Sequence, residues 1–303
     1  MTEAHMVAGD AAAGQRLDHF LCGALRLASR ARARRLVEAG VVRVNGRLAS
    51  AGQRLMPGDA IVVDEVHPEV ALPDPALALA VCYEDAWLVV ADKPPGMPSH
   101  PLRPGERGTL ASALLARYPE MNGVGYSPRE PGLVHRLDTD TSGVLLAARD
   151  AETFRSLRSQ LEAGEIDKRY LALCAGRPTV PAVHEAWLSA RGRRVTVRSA
   201  QFREALPVRI ELLGAEPCGP SQTLLEIRAP HARRHQIRAQ LAALGHPIAG
   251  DALYGPNLLA GLSHHFLHAS ELHLSHPHTG AALHVRADLP ARSRALLTAL
   301  RAT

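Results

Sequence analysis

The sequence predicts an α+β protein with two domains, and three observations support this class. Helical spacing of apolar residues and strand-like alternation occur together in the first 64 residues. Strand patterns and an amphipathic helical pattern follow after residue 80. Between the two parts, residues 65–80 contain three prolines among acidic and small residues, which is typical of a linker. We therefore expect a small first domain at residues 14–64 and a larger second domain at residues 81–303.

Two short helices are predicted in the first domain. Apolar residues recur at helical spacing over residues 17–25 and again over residues 33–37. Ser29 precedes the second segment, where its hydroxyl can accept a hydrogen bond from the first turn of a helix. We expect the second helix to begin directly after Ser29.

A hairpin follows the helices. Val41–Val44 alternates like a strand, and Asn45–Gly46 has the residue types of a tight hairpin turn. A Pro-Gly-Asp sequence then precedes another strand-like run, Ala60–Val63. The first domain is therefore predicted to be a small module of two helices and a hairpin.

Positive charge is concentrated in this module. The whole chain is only modestly basic, with a formal net charge of +5 and a pI near 9.3. Between Arg16 and Arg54, however, the acidic residues are only Asp18 and Glu38. The arginines within this segment are Arg26, Arg30, Arg32, Arg34, Arg35, Arg43 and Arg47. A solvated arginine-rich face and a surface for a polyanion are both compatible with this pattern.

Cysteine spacing and hydropathy indicate the cellular compartment of the protein and argue against a zinc ribbon. The four cysteines are far apart and form no Cys-x-x-Cys pair, which disfavours a zinc ribbon and a disulfide framework. No apolar run reaches membrane-spanning length, and residues 1–10 do not have the pattern of a signal peptide. We expect a cytoplasmic protein with reduced thiols.

The most informative stretch is the signature segment, residues 135–143, which reads His-Arg-Leu-Asp-Thr-Asp-Thr-Ser-Gly. It places charges, hydroxyl groups and a glycine between a short lead-in, residues 132–134, and a buried-strand pattern, residues 144–148. Turn residues that connect two strands would have a similar composition. A loop held by rigid strands is also where catalytic groups collect.

Other motifs surround the signature segment in sequence. A strand pattern at residues 87–91 ends in a proline-rich loop, residues 92–101, which contains Lys93, one of two lysines in the chain. Asp150 is placed to cap a helix that runs to about residue 163 and ends at Gly164. A strand is predicted at Lys168–Leu173.

The last motif begins at His231. The run His231–Arg238, followed by Leu241 and Leu244, predicts a helix, and a loop with the sequence Gly-His-Pro-Ile-Ala-Gly-Asp follows at residues 245–251.

Together these second-domain motifs resemble the RluA-like pseudouridine synthases. The resemblance implies that Asp138 is the catalytic carboxylate, that Tyr170 stacks on the target base and that Arg238 pairs with Asp138. Such an ion pair would keep the carboxylate charged at neutral pH. With Tyr170, Ile237 would sandwich the base, and Arg136 would fill the gap left in the RNA.

The same resemblance carries expectations about the fold. It implies a mostly antiparallel central sheet flanked by helices, with the proline-rich loop at Lys93 supporting the wall of the cleft. The sequence departs from the family pattern at three positions near Arg238: His231, Ala232 and Arg234 stand where threonine, glycine and threonine are common.

The first domain resembles the small RNA-binding domain named after ribosomal protein S-four. This resemblance spans roughly residues 14–64 and implies contacts with the phosphates of structured RNA. The contacts it suggests are Arg30, Arg34, Arg35 and Arg43.

Histidines clustered late in the chain raise an alternative, a metal site, because imidazole is the commonest zinc ligand. These are His264, His265, His268, His273, His276 and His278. Strand alternation explains their spacing, so we expect no metal. The sequence has no glycine-rich dinucleotide or phosphate loop, and we expect no other cofactor.

The sequence therefore predicts site-specific isomerisation of uridine to pseudouridine in structured RNA, with large-subunit ribosomal RNA as the expected substrate. Alternatives are a synthase acting on transfer RNA, a non-catalytic RNA-binding or ribosome-assembly factor, and a hydrolase that pairs Asp138 with Asp140 or Asp92. We expect a monomer without an obligate protein partner.

Overall fold

The computed structural model describes residues 3–25, 27, 29–50, 52–64, 70–190, 194–202, 204–255, 259 and 262–302. Residues 65–69 of the predicted linker and Arg26 of the basic segment lie outside the described residues. The chain divides into two compact units. The first contains residues 1–70 and 103–105, and the second contains residues 71–102 and 106–303.

The first unit packs two helices against a small antiparallel sheet. Its described strands are β1 (Ala4–Val7), β2 (Val42–Val44), β3 (Arg47–Leu48) and β4 (Ala60–Val63), and its helices are α1 (Leu17–Ala24) and α2 (Arg30–Glu38). The strand order is β1-β4-β2-β3. Of the apolar positions in the predicted helices, Leu17, Leu21 and Ala33 are fully buried with Ile61 and Val63 of β4, whereas Phe20 and Leu25 are partly buried.

Local signals in this unit act as predicted. The Ser29 hydroxyl accepts a hydrogen bond from the Arg32 N–H and caps α2. Asn45 and Gly46 both have positive φ, 51° and 77°, and form the turn between β2 and β3. Hence the hairpin turns at the residues whose conformational preferences favour it.

Strand β1 is absent from the sequence-based prediction, whose first domain begins at residue 14. It pairs antiparallel with β4, from Ala4 opposite Val63 to Val7 opposite Ala60. Its signal is weak because its inward residues, Ala4 and Met6, are only half-buried and are not β-branched.

The second unit is built on one large sheet. Its elements are β5 (Ala80–Glu84), β6 (Leu88–Lys93), α3 (Leu110–Arg117), β7 (Ser142–Ala148), α4 (Ala151–Ala163), β8 (Asp167–Ala175), β9 (Ala182–Ser189), β10 (Thr196–Arg198), β11 (Leu206–Cys218), β12 (Gln222–Arg228), α5 (Gln236–Ala243), β13 (Leu267–Ser275), β14 (Ala282–Arg286) and α6 (Ala291–Arg301). In the described part of the chain, the strand order is β10-β9-β11-β12-β8-β13-β7-β6-β5, with β14 added at β13.

The predicted α+β class with a mostly antiparallel sheet is confirmed. Among the strand pairs that the structure describes, only β13 and β7 run parallel, with His268 opposite Ser142 and Ala269 opposite Gly143. Strand β13 thus enters the middle of the sheet between β7 and β8. This position brings residues from near the end of the chain next to the signature segment.

Helix α4 forms as its sequence predicts. The Asp150 carboxylate accepts hydrogen bonds from the N–H groups of Glu152 and Thr153, and Gly164 ends the helix in a left-handed conformation with φ of 76°. The apolar face, Phe154, Leu157 and Leu161, is buried.

Two predicted elements differ in extent. The lead-in before the signature segment is too short for a strand: Leu133 makes an isolated bridge to Ala147, and it follows a turn-rich stretch that ends at Gly132 with φ of 69°. The helix predicted from His231 begins instead at Gln236, because His235 adopts a left-handed conformation with φ of 55°. Residues 231–235 therefore form a loop that faces the signature segment.

Replacement of Gly143 by alanine is expected to destabilise the second unit by about 3 kcal/mol or more. Gly143 has φ of 105°, and a Cβ atom there would overlap the backbone of Ala269 in the parallel pair. Urea unfolding measures this loss. Gly280→Ala is the matched control, because Gly280 also has positive φ, 69°, but no atom lies within 4 Å of the position that a methyl group would take; it should cost only about 1 kcal/mol. Equal losses would contradict the overlap.

Candidate active site

A cleft of about 1150 Å³ opens in the second unit above the signature segment. Its walls come from the proline-rich loop, strand β8, the loop before α5 and the loop after it. All five site residues predicted in the second domain line it. These are Arg136, Asp138, Tyr170, Ile237 and Arg238.

The centre of the cleft is an ion-pair chain of two carboxylates and one guanidinium. Arg238 donates through Nη1 to Asp138 Oδ2 at 2.8 Å. It also donates to Asp251 through Nε, at 2.7 Å, and through Nη2, at 2.8 Å. Asp251 is 1% exposed, whereas the Asp138 side chain keeps 18% of its surface exposed towards the cleft. One carboxylate thus fixes the arginine, and the arginine fixes the other carboxylate.

Burial and pairing act in opposite directions on these charges. Burial disfavours the charged form of Arg238, but hydrogen bonds to Asp251 and Asp138 outweigh it and raise the pKa of Arg238. Burial alone would raise the pKa of Asp251, yet the hydrogen bonds from Arg238 lower it. The arginine and Asp251 are therefore charged at neutral pH.

Local folding explains how Arg238 and Asp251 meet. Gln236 begins α5, and its side chain accepts from the Arg233 N–H and donates to the Arg209 carbonyl at 3.0 Å, which anchors the start of the helix. Asp251 accepts further hydrogen bonds from the N–H groups of Leu253 and Tyr254. The turn after α5 is thus fixed by the same carboxylate that binds Arg238.

The second oxygen of Asp138 is less constrained. The imidazole of His235 lies near it, with Nε2 3.9 Å from Oδ1. The other ring nitrogen of His235 is 3.0 Å from the hydroxyl of Tyr254, and that hydroxyl accepts from the Val195 N–H. Burial lowers the pKa of His235. Oδ1 is therefore the carboxylate oxygen that is open to a substrate.

Strand β13 and the segment just before it anchor the signature segment through two hydroxyl–histidine hydrogen bonds. Thr141 bonds with His265 Nε2 at 2.8 Å, and burial lowers the pKa of His265 to about 4. Ser142 bonds with His268 Nδ1 at 2.9 Å, while His268 Nε2 donates to the Ala287 carbonyl. Burial also lowers the pKa of His268. Both imidazoles are therefore neutral hydrogen-bonding groups at neutral pH.

The proline-rich loop supports the same segment from the other side. Lys93 is fully buried, and its ammonium donates to the carbonyls of Pro94, Met97 and Thr139 at 2.8–2.9 Å. Ser99 donates to the Leu137 carbonyl and accepts from the Leu137 N–H. Burial lowers the pKa of Lys93 to about 7. The residues on either side of Asp138 are therefore held by their backbone.

Three predicted residues occupy different environments around Asp138. Tyr170 is 3% exposed on β8, and burial, with a smaller effect of Asp138, raises the pKa of its hydroxyl. Ile237 is 3% exposed in the first turn of α5. The Arg136 side chain is 53% exposed at the rim, where Nη1 lies 3.9 Å from Glu130 Oε1. Arg136 thus presents an exposed cation two residues before the carboxylate.

Sequence reasoning missed the role of Asp251 and of His235. Asp251 is the last residue of the recognised Gly-His-Pro-Ile-Ala-Gly-Asp loop, but nothing in the sequence indicates that it pairs with Arg238. His235 belongs to the run before α5, and its left-handed conformation becomes evident only in the structure.

The four arginines predicted to contact RNA lie in the first unit. Arg30, Arg34 and Arg43 lie 3.7–3.9 Å from Asp18, Glu38 and Asp64, and their side chains are 45–58% exposed. Arg35 is exposed and makes no ion pair with the residues that the structure describes. These weak surface pairs leave the guanidinium groups accessible to a polyanion.

The late histidines do not gather into one cluster. His273 and His284 face each other on the β13–β14 hairpin, and each lies about 3 Å from Glu271 Oε2. Their ligand atoms and that of Glu271 lie within 4.8 Å of one another, so this is a donor set that could hold a metal ion. Arg286 already donates to the other oxygen of Glu271 at 2.8 Å, however, and neutralises the carboxylate.

Comparison with known families gives the chain its class. A family model described as RNA pseudouridylate synthase matches residues 87–243, and the S4 domain model matches residues 15–61. The chain belongs to the RNA pseudouridylate synthase family. It is a pseudouridine synthase that acts on RNA and carries an S4 domain ahead of its catalytic unit.

Relatives match over nearly the full chain. An uncharacterised RNA pseudouridine synthase of Chloroflexus aurantiacus is 40% identical over 94% of this chain and 90% of its own length. A ribosomal large subunit pseudouridine synthase D of Nitrosomonas europaea is 35% identical, with coverage of 96% and 86%. Synthase C of Yersinia pestis is 34% identical, with coverage of 95% and 93%.

Solved structures support the fold. Human RNA pseudouridylate synthase domain containing 4 superposes with a TM-score of 0.58 at 22% identity, over 72% of this chain and 93% of its own. Within the described ranges, no helix combines the length and apolar character needed to cross a membrane.

Asp251→Asn is expected to destabilise the second unit by about 3 kcal/mol at pH 7, because one negative charge is removed from a buried ion-pair chain. The folded-state pKa of Asp251 is lowered, so its stabilisation is present above the unfolded value, about 3.9, and is lost as pH falls through the folded value. The difference from wild type in urea unfolding should therefore shrink below about pH 4. Asp288→Asn, at a side chain that is 96% exposed, is the control and should change little. A difference that is constant with pH would refute the role of this charge.

Proposed function

We propose that the chain isomerises specific uridines in structured RNA, that large-subunit ribosomal RNA is its substrate and that Asp138 is the catalytic carboxylate. The observation that carries the proposal is the Asp138–Arg238–Asp251 chain at the centre of an open cleft. Relatives named as ribosomal large subunit synthases support the substrate class.

The reaction requires that a glycosidic bond move from N1 to C5 of the same base. The bond from N1 to C1′ breaks, the base rotates while it is held, and C5 bonds to C1′. C5 loses its hydrogen and N1 gains one, so the reaction is an isomerisation. A cleft that retains the free base during rotation is therefore as necessary as the carboxylate.

Asp138 has two chemically reasonable roles. Its carboxylate either attacks C1′ and forms a covalent intermediate, or removes a ribose proton to give a glycal. Both roles need a charged carboxylate with an open oxygen, and Oδ1 meets this requirement while Arg238 holds Oδ2. The two roles remain alternatives.

Target uridines in folded RNA must leave the stack before they reach the cleft, at a cost of a few kcal/mol. Tyr170 and Ile237, both lining the cleft, would hold the flipped base between them. Arg136, exposed on the signature segment, would occupy the space vacated in the RNA. The hydroxyl of Tyr170 stays protonated at neutral pH because its pKa is raised, so we assign it to stacking rather than to proton removal.

The S4 domain would bind the structured part of the substrate through phosphates. Arg30, Arg34, Arg35 and Arg43 are the arginines we assign to this contact, which is insensitive to sequence. The proposal includes action as a monomer in the cytoplasm, without a protein partner. A synthase for transfer RNA is the outcome that the mapping experiment distinguishes from it.

Mapping identifies the substrate. Pseudouridines would be located by carbodiimide treatment and primer extension on RNA from cells that lack the gene and from cells complemented with wild type or Asp138→Asn. Sites in large-subunit ribosomal RNA restored by wild type alone are expected. Restored sites confined to transfer RNA would overturn the substrate class.

Asp138→Asn is expected to lower the rate of isomerisation by at least about 100-fold, because the nucleophile or base is removed. Tritium release from RNA labelled at C5 of uridine measures the rate, since C5 loses its hydrogen. RNA affinity should be nearly unchanged, because the basic surface remains. Asp288→Asn is the matched control for the same chemical change at an exposed carboxylate. Turnover of Asp138→Asn near that of wild type would exclude Asp138 as the catalytic group.

Deletion of residues 1–64 is expected to weaken RNA binding and to flatten its salt dependence, by about 0.9 in slope for each phosphate that is no longer neutralised. The double variant Arg34→Gln/Arg35→Gln should produce part of this change. The pair Arg292→Gln/Arg294→Gln on α6 removes equal charge elsewhere. Filter binding at several salt concentrations gives the slopes, and an unchanged slope after deletion would exclude the S4 domain from phosphate binding.

A further inference from the structure

The chain contains only two lysines, and both are buried. Lys93 is fully satisfied by three backbone carbonyls. Lys168 is 4% exposed and lines the cleft, and within the described residues its ammonium has no hydrogen bond or ion pair. A buried ammonium without an anion is costly, so this position is suited to an anionic ligand.

Strand alternation directs Lys168 into the cleft. Lys168 and Tyr170 are buried on one face of β8, whereas Asp167 and Arg169 lie on the other face. On that other face the charges are paired: Asp167 binds Arg228 at 2.7 Å, and Arg169 binds Glu226 at 3.1 Å. Lys168 therefore differs from the charged residues on the other face, because it is unpaired among the described residues and lines the cleft.

The groups around Lys168 leave the site positive. Arg158 and Glu162 approach from α4, and they form a salt bridge with each other at 2.7 Å. His135 of the signature segment lies close enough for Lys168 to affect its pKa, and His231 lines the same cleft from the loop before α5. The His135 imidazole is neutral, because burial and the nearby Lys168 lower its pKa well below the usual range. Because the carboxylate of Glu162 is paired with Arg158, it does not neutralise Lys168.

We propose that Lys168 binds a phosphodiester of the RNA strand next to the target nucleotide. The proposal rests on the proposed function, since it assumes that a nucleotide occupies the cleft beside Tyr170. Residues two apart on a strand are about 7 Å apart, the scale of one nucleotide. A phosphate is the anion that every nucleotide carries to such a position.

Lysine suits this role better than arginine. Its ammonium is a compact point charge on a flexible stem, and it binds phosphate without the planar geometry that a guanidinium imposes. Burial, together with Arg158, lowers the pKa of Lys168 to about 8. A bound phosphate would reverse this shift, so RNA affinity should depend on the protonation of Lys168.

The test compares Lys168→Met, Lys168→Arg and wild type in the full chain. The probe is protein-free large-subunit ribosomal RNA transcribed with tritium at C5 of uridine. Measurements are the Kd at several salt concentrations at pH 7 and pH 9, together with KM and kcat. Arg292→Met is the control, because it removes one positive charge from α6, outside the cleft lining.

Lys168→Met should raise both Kd and KM about tenfold or more and reduce the salt slope by about one. Its urea midpoint should equal or exceed that of wild type, since an unpaired buried charge is removed. For wild type the Kd should rise from pH 7 to pH 9, as Lys168 loses its proton. Lys168→Arg should remove this component of the pH dependence, and Arg292→Met should retain it.

A Kd and salt slope of Lys168→Met equal to those of wild type would overturn the proposal. Loss of kcat with unchanged Kd and slope would also overturn it, because that pattern indicates a structural role. If Lys168→Met does not fold, the pH dependence of Lys168→Arg decides. Failure of the proposed function looks different: wild type itself would release no tritium, whereas the Kd measurements would still report on Lys168.

Discussion

The guanidinium of Arg238 donates to Asp251 through two nitrogen atoms and to Asp138 through the third. No other side-chain cation would serve both carboxylates in this geometry, because an ammonium lacks the planar fork. Asp251 holds the guanidinium, and the guanidinium in turn holds Oδ2 of Asp138. The position of the proposed catalytic group therefore depends on an arginine 100 residues later in the chain.

The backbone around Asp138 is fixed by groups whose charge does not compete with this chain. Thr141 and Ser142 bond to neutral histidines, and Ser99 bonds to the backbone of Leu137. Lys93 donates to three backbone carbonyls, and burial lowers its pKa to about 7. A rigid segment with one open carboxylate oxygen results. Preorganisation of this kind lowers the cost of aligning the carboxylate with a ribose.

The sequence predicted the parts of the molecule whose signals are local. The caps of α2 and α4, the turn at Asn45 and the buried strand β7 all formed as expected, because nearby residues determine them. The resemblance to the family motifs predicted that Asp138, Tyr170 and Arg238 lie close together, and all three line the same cleft. Strands β9 to β11 were not predicted, because their exposed and half-buried positions mix polar and apolar residues. The mostly buried strand β12 was not predicted either. The role of Asp251 was missed because it depends on a contact with Arg238 that residue spacing does not encode.

The central position of β13 has a consequence for the order of folding. This strand supplies the partner of both β7 and β8, although it lies about a hundred residues beyond them in the chain. Contacts of such separation form late, after the cost of closing a long loop has been met. If β13 is still inside the ribosome, the nascent chain lacks the middle strand of its sheet and His265 and His268, which hold the signature segment. Activity would therefore begin only once nearly the whole second unit has left the ribosome.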